Sequence, residues 1–479
     1  MTIRIKIICA VVMLAVGASF CWAANTNYYV VPDNAGATPP YTDWPTAATN
    51  IQDVVSRTLA GDTIYLTNGH YYLTGEVVIA TAVTVKSYNC GATDPTNTII
   101  DGNNFPGKPV TNRCLNISAA ATIDGITLTN GVVTDNGGGC IMSGTYGVLT
   151  NCIVTGNLAT NSGQVGGGGV YVSANNCTIT DCQIVRNRSL RWGGGARGAA
   201  SYLVLKNSFV GWNNVVAEDG AAVGLGGRDS VLNCTIVSNG NLGCNSIVYF
   251  IGTYAIVSNC VIMGNTNGAP VLTRENVVYY SNKVVNCRII DNHSTGTLVP
   301  AGGFLSCSML YRNCLIASNR ATGAASCGGL RVSANNTGTV ESCTIAGNQG
   351  VTAGAVYNDS SSSIGFFYNT IVCSNVGGTY SDMYVPGDAT SRFFYSSCPT
   401  IDLPPAQGNL KSGPEFASFS AGDYHLTADS PCVNTGTNML YWMTNAIDLE
   451  GRRRIDYLNG IVDMGAYEFM RNITLISGF

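Results

Sequence analysis

Charge is what this chain has least of. Only 11% of its 479 residues are Asp, Glu, Lys or Arg, less than half the share of an ordinary soluble domain. It has no basic run, and its formal net charge is −4. Nucleic acid and anionic membranes are therefore not expected as partners. Histidine is nearly absent, with three in all, and no Cys-x-x-Cys pair has partner histidines. A zinc site would lack ligands, so no metal and no cofactor is expected. Beyond the N-terminus no apolar run approaches the ~20 residues of a membrane-crossing helix. Glycine and cysteine, by contrast, are plentiful at 57 and 19, and they mark the turns and the core of something regular.

The first residues read as a leader. In Met1–Ala23, Arg4 and Lys6 make the basic start and Ile7–Gly17 the apolar core. Cys21-Trp22-Ala23 offers a small-x-Ala cleavage site, the pattern of a secretory signal peptide. The core is too short for a membrane anchor, and Phe20 before Cys21 argues against a lipoprotein cysteine. Removing 1–23 takes two basic residues and no acidic one, so 24 Lys+Arg become 22 against 28 Asp+Glu, a net charge of −6.

The regular feature is a repeat, Asn-Cys-x-Ile-x-x-Asn in its fullest form, as in Asn233–Asn239. Its closing residue recurs as Asn157, Asn187, Asn213, Asn239, Asn265, Asn292, Asn319, Asn348 and Asn375. The steps are 30, 26, 26, 26, 27, 27, 29 and 27. Self-similarity at this period means a solenoid whose units bury apolar surface only against their neighbours. Within a copy the apolar positions alternate, which is the period of a strand. Cys152, Cys182, Cys234, Cys260, Cys287, Cys314 and Cys343 should form one inward ladder, with Ser208 and Thr370 in the same rung. Val154, Ile184, Val210, Ile236 and their equivalents should form a second. The closing Asn is expected at a sharp corner, where Asn tolerates the left-handed region and bonds its local backbone.

A second short strand follows a variable loop, at Gly137–Ser143, Gly166–Ser173, Gly193–Ala200, Gly220–Gly227, Gly302–Ser308, Gly328–Ser333 and Gly354–Asp359. One repeat is therefore one coil of a parallel β-helix, and nine coils make a rod roughly 43 Å long at ~4.8 Å per coil. A leucine-rich repeat has a similar period. It would need a Leu framework and convex helices, and no amphipathic helical stretch lies between the copies. Seventeen cysteines follow the leader. Secretion favours disulfides, but strands stacked ~4.8 Å apart set the ladder cysteines slightly too far apart for good disulfide geometry. They are expected as reduced, small core residues, while off-ladder cysteines remain free to pair.

Before the repeats, Tyr28–Val31 reads as a first strand. Thr46–Leu59 has apolar residues at helical spacing and is expected as one amphipathic helix over the open first coil, whose strand edges need covering. Gly61-Asp62-Thr63-Ile64-Tyr65-Leu66, Asn68-Gly69-His70-Tyr71 and Ile100-Asp101-Gly102 follow. This start resembles secreted right-handed parallel β-helix proteins of the pectin-lyase-like superfamily. The end carries Gly413-Pro414-Glu415-Phe416, Gly422–Leu426, Ser430-Pro431-Cys432, Asp448–Arg452 and Val462–Phe469. It resembles the choice-of-anchor Q region of bacterial surface proteins. Together the two resemblances cover nearly the whole mature chain. They imply an all-β, right-handed parallel β-helix with an N-terminal capping helix and a C-terminal capping region, in a secreted or bacterial cell-surface protein, extracellular or periplasmic. The expected divisions are 1–23 signal peptide, 24–97 cap and first coils, 98–397 repeats, 398–470 C-terminal region and 471–479 tail.

Of the catalytic strings of hydrolases with such folds, Asn-Thr-Asp and Gly-His-Gly do not occur, and Arg-Ile-Lys occurs only as Arg4-Ile5-Lys6 in the expected leader. Gly69-His70-Tyr71 is the nearest string and reads as structural in the capping region. The richest loop chemistry is Arg186, Arg188, Arg191, Trp192 and Arg197, with Trp212, Glu218, Asp219, Arg228 and Asp229 one or two coils on. Guanidiniums fork carboxylate or sulfate, and indoles stack on pyranose faces; the competing reading is a solvated edge of Arg–Glu and Arg–Asp pairs. His293 and Arg320 sit at similar loop positions and read as surface. Tyr146, Tyr202 and Tyr254 recur in register and suit either a turn or a sugar-stacking row. Arg452, Arg453, Arg454, Asp448, Asp463 and Glu468 read as a salt-bridged cap.

These residues suggest a non-catalytic scaffold, a monomer, binding an extracellular polysaccharide or cell-surface component through loops on one edge. A polysaccharide lyase or glycoside hydrolase acting on an acidic glycan is the alternative, with Ca²⁺ implied only for a lyase. An adhesin passenger ranks third, because no C-terminal barrel segment is seen.

Overall fold

A computed structural model describes residues 25–469 except 89–94, 103–110, 161–162, 164–165, 200–201, 241–243, 274–280, 307, 334–337, 362–364, 439 and 456–459. The expected leader at 1–23, the tail at 471–479, Cys90 and Cys307 lie outside the described residues.

The coil around the central repeat shows the architecture. Ser230–Leu232 is a strand on one face, Thr235–Val237 a strand on the next, and Ser246–Phe250 a strand on the third. Ile256–Ser258 then returns to the first face one coil on and pairs in parallel with Ser230–Leu232. The first face carries 14 strands from Asn27–Val30 to Phe393–Phe394, the second 12 from Gly69–Tyr72 to Ile371–Cys373. The third face is split into sheets of eight and four strands. Every strand pair along these faces is parallel. The result is an all-β parallel solenoid. Among the described residues no convex helices accompany it, which removes the leucine-rich alternative.

The repeat read as one strand is two strands meeting at a corner. Asn233 bends the chain with φ 54°, and the same corner is made by Asn151, Asp181, Asn207, Asn259, Asn286, Asn313, Ser342 and Asn369. The inward period survives the bend, so Val231, Cys234 and Ile236 are all buried.

Two expectations about single residues change. The closing Asn does not take the left-handed conformation; the residue before it does, as at Gly156, Arg186, Trp212 and Ser238. The Asn side chain turns inward instead. Asn157 Nδ2 donates to Asn187 Oδ1 at 2.9 Å, Asn187 to Asn213 at 3.1 Å, and the chain continues through Asn239, Asn265, Asn292, Asn319 and Asn348 to Asn375. Asp382 ends it, accepting from Asn375 at 2.9 Å. Each Asn also donates to a backbone carbonyl of the preceding coil, as Asn213 does to Ile184 at 2.7 Å. Buried amides are stable only when paired, and this ladder pairs them in series.

The cysteines are more than small hydrophobes. Each ladder cysteine follows a left-handed corner residue, and its thiol donates to the carbonyl two residues back. Examples are Cys152 to Thr150 at 3.1 Å and Cys260 to Ser258 at 3.2 Å. Ser208 and Thr370 make the same bond with hydroxyls, to Lys206 at 2.7 Å and Tyr368 at 2.9 Å. The rung therefore selects a small donor. All 15 described cysteines are buried and unpaired by disulfides, on and off the ladder. Burial pushes thiols such as Cys114 and Cys327 up to about 12, so they stay protonated.

At the N-terminal end the helix is shorter than expected, Ile51–Val55, capped by the Asn50 side chain on Gln52 N. Ile51, Val54 and Val55 are buried, but Leu59 lies past the helix end and is 64% exposed. At the other end, Cys398 and Leu403 join the core. The chain then folds back as a flap through the antiparallel hairpin Phe416–Ser418 and Asp423–Leu426. Tyr424, Leu426, Cys432, Met464 and Tyr467 cover Leu315, Ala317, Ala346, Ile371 and Cys373 on the outside of the second face. Arg454, fully buried, pins it by donating to Gly465 O and Glu468 Oε1, both at 2.8 Å, and to Asn313 Oδ1. Among the described residues no helix is long and apolar enough to cross a membrane.

Candidate functional site

The ten loop residues singled out from the sequence do not share one edge. The fold divides them among three places, because a coil carries loops and corners on different sides of the prism.

The first place is the corner that ends the second face. Arg186 and Trp212 occupy it on consecutive coils with φ of 56° and 55°. Elsewhere the same corner is given to Gly156, Ser238, Gly264, Asp291, Ser318, Gly347 and Ser374. A bulky side chain in the left-handed region is strained, by roughly 1–3 kcal/mol, and small or polar residues suffice here. Trp212 is 48% exposed, with the Arg186 guanidinium 5.1 Å from its ring and Phe209 at 5.4 Å. Arg188 is exposed two residues on, in the short strand Arg188–Ser189. This patch is open, cationic and aromatic.

The second place is sealed. Arg197 lies outward on the third face in the register row Ile141, Tyr171, Arg197, Gly224 and Tyr249. Its stem crosses Gly224, where a Cβ would meet Arg197 Cγ at 3.7 Å. Trp192 covers the guanidinium at 4.5 Å. Trp192 Nε1 donates to Glu218 Oε2 at 3.0 Å, and Arg191 pairs with the other Glu218 oxygen. Arg197 is 6% exposed, and its Nε and Nη1 have no hydrogen-bond partner among the described residues. Burial pulls its pKa down to about 10, partly offset by Tyr171, Tyr249 and Asp229. Nearby Asp219 accepts from Ser246 Oγ at 3.0 Å and is pushed up to about 6, chiefly by burial.

The third place is the corner between the third and first faces. Arg228 is exposed there and bonds the Tyr202 hydroxyl. Asp229 beside it is fully buried and clamps the turn, accepting from Leu203 N at 2.9 Å and Gly226 N at 2.6 Å.

A cleft of about 570 Å³ lies elsewhere, between the N-terminal helix and residues 70–77. Its His70 is held 2.7 Å from Asp101 and stacked on Tyr72, and Glu76 faces Arg113 at 3.4 Å. With those groups already committed, size alone does not make it the better site. Among the described residues no group of three or more His, Cys, Asp or Glu converges as a metal site.

Sequence reasoning missed the aromatic wall around Arg197. Its signal was there, since Tyr171 and Arg197 stand 26 residues apart, one period of the repeat.

No protein-family model matches the chain, and no curated protein matches it. Solved structures are similar in outline. A pectate lyase aligns over 93% of this chain and 97% of its own, at 15% identity and a TM-score of 0.42. A rhamnogalacturonan lyase aligns over 83% and 92%, at 12% and 0.39. The XylC–xylose complex aligns over 93% and 99%, at 10% and 0.42. Likenesses of this size say nothing about the chemistry at this chain's corners.

Proposed function

We propose that the protein is a non-catalytic β-helix scaffold that binds an acidic polysaccharide outside the cell or at the cell surface. The observation that carries this reading is the placement of Arg186 and Trp212. Both stand exposed at a corner where their backbone is strained and where smaller residues make the same turn. Strain of this kind persists where it serves a function. Indole beside guanidinium presents a flat apolar face for a sugar ring and a forked donor for its carboxylate or sulfate. Arg188 adds a second cation along the same side. The C-terminal region, by its motif resemblance, is proposed as the terminal module of a bacterial surface protein.

One observation favours catalysis as a second reading. Arg197 is a buried guanidinium with two unpartnered nitrogens, within electrostatic reach of Asp229, a carboxyl group raised to about 7 by burial. A lyase or hydrolase acting there would have to swing Trp192 away from Glu218.

The test uses the purified chain on affinity gels of polygalacturonate, a sulfated glycan and a neutral glucan. Retention on an acidic gel is expected to fall roughly tenfold or more in Arg186→Ser/Trp212→Ser, a change of about 1.4 kcal/mol. Equal retention of wild type and variant sinks the proposal. Release of unsaturated uronate products or new reducing ends, abolished by Arg197→Met, moves the reading to an enzyme.

A further inference from the structure

The corner between the third and first faces carries a second row of strained, exposed side chains. On five consecutive coils it is occupied by Tyr146, Asn176, Tyr202, Arg228 and Tyr254, with φ of 62°, 60°, 66°, 60° and 60°. In this row Tyr146 N donates to Asn175 O at 3.2 Å, Tyr202 N to Gly227 O at 3.3 Å and Arg228 N to Thr253 O at 2.8 Å, each on the next coil. The tyrosine rings point away from the core and are 63%, 44% and 57% exposed. Asn176 makes the same turn without a ring, so the corner does not need one. An aromatic residue in the left-handed region is a genuine outlier, and three in one register are not explained by folding.

Their order is the informative part. Tyrosines fall on every second coil, and a polar side chain stands between each pair. Two coils span roughly 9.6 Å at about 4.8 Å per coil. That is the length of an extended disaccharide, over which a 1,4-β-linked pyranose chain turns the same ring face back to the same side. Arg228 lies with its guanidinium 5.5 Å and 5.8 Å from the Tyr202 and Tyr254 rings and bonds the Tyr202 hydroxyl. It is thereby held between two rings with donors left for sugar hydroxyls. Asn176 stands equivalently between Tyr146 and Tyr202. The tyrosine hydroxyls add donors and acceptors at the same repeat.

We infer that this edge is a binding track for an extended, uncharged 1,4-β-linked glycan lying along the solenoid axis. Tyr146, Tyr202 and Tyr254 contact alternate sugar units, while Asn176 and Arg228 hydrogen-bond the units between. It is a separate corner from the Arg186–Trp212 patch and does not depend on that patch binding anything.

The experiment titrates cellohexaose, xylohexaose and maltohexaose into the full chain by calorimetry. The α-linked maltohexaose is the control, because its coiled chain lacks the two-unit repeat. The variant is Tyr146→Asn/Tyr202→Asn/Tyr254→Asn, which installs the residue the row itself uses at 176. Binding of a β-linked hexaose is expected, with each lost ring weakening it roughly three- to tenfold and with thermal stability unchanged or raised. The Arg186→Ser/Trp212→Ser variant should bind the β-linked hexaose as wild type does, so failure of one site is visible apart from the other. Three outcomes overturn the inference: no β-linked hexaose binding, equal binding of maltohexaose, or a clear loss of thermal stability in the asparagine variant. The last would make the rings structural.

Discussion

At the scale of single residues, the fold places ordinary side chains where burial changes their behaviour. Asp229 is the clearest. Its carboxyl is fully buried beneath the third corner, and burial pushes its pKa from 3.8 to about 7 against two backbone N–H bonds and Arg197. The folded state therefore holds the proton more tightly than the unfolded chain. The resulting stabilisation is complete below the unfolded pKa and is lost as pH rises through about 7. Relative to Asp229→Asn, wild type should lose on the order of 3 kcal/mol between pH 4 and pH 7. Urea midpoints of both proteins across that window measure it. The difference in slope is the signal, since the variant also loses a turn acceptor and so starts lower. Parallel slopes would mean that Asp229 does not gain its proton on folding.

At the scale of elements, the C-terminal region is more than an end plug. Its hairpin and the segments after it cover the outer surface of the second face over the last coils. The attachment joins that apolar cover to polar bonds from Asn313, Asn369 and Thr344, and the buried Arg454 bridges coil and flap. Burial raises its partner Glu468 to about 8 despite the guanidinium beside it. Removing the guanidinium leaves the buried oxygens it serves without their donor, at about 1–3 kcal/mol. Arg454→Met should therefore loosen the flap while leaving the coils intact. Limited proteolysis should then cut within 412–469 of the variant and spare the repeats. Uniform loss of the whole chain to protease would show that flap and coils are one cooperative unit.

At the scale of the whole molecule, each coil contacts chiefly its neighbours, so the solenoid should tolerate loss of a unit taken in phase. Excising 233–258 joins Leu232 to Asn259, which makes the same corner as Asn233, at φ 55° and 54° respectively. The thiol rung and the amide ladder both continue across that junction. The shortened chain should fold, with its longest dimension reduced by about 4.8 Å in solution scattering. A deletion two residues shorter would set core residues at corner positions and should give insoluble protein. If both deletions behave alike, coil phase is not what organises this fold.

Much of this architecture was legible in the chain itself. Regular spacing of Asn and Cys implies stacked parallel coils, because only a repeating unit recurs at a fixed period and only strands alternate with a period of two. Inward rows such as Cys234 and Ile236 followed from that alternation. The bend at Asn233 did not, since alternation runs unbroken through it. Nor did the inward turn of the closing asparagines, because an amide has the same propensity for a corner whether it bonds its own turn or the next coil's amide. The sequence also placed Arg186, Arg191, Arg197, Trp212 and Arg228 within two coils of one another. Only the tertiary structure separated them into an open patch, a sealed cage and a corner row. Position along the chain specifies the coil; the path around the coil decides which side a residue faces and whether it meets solvent.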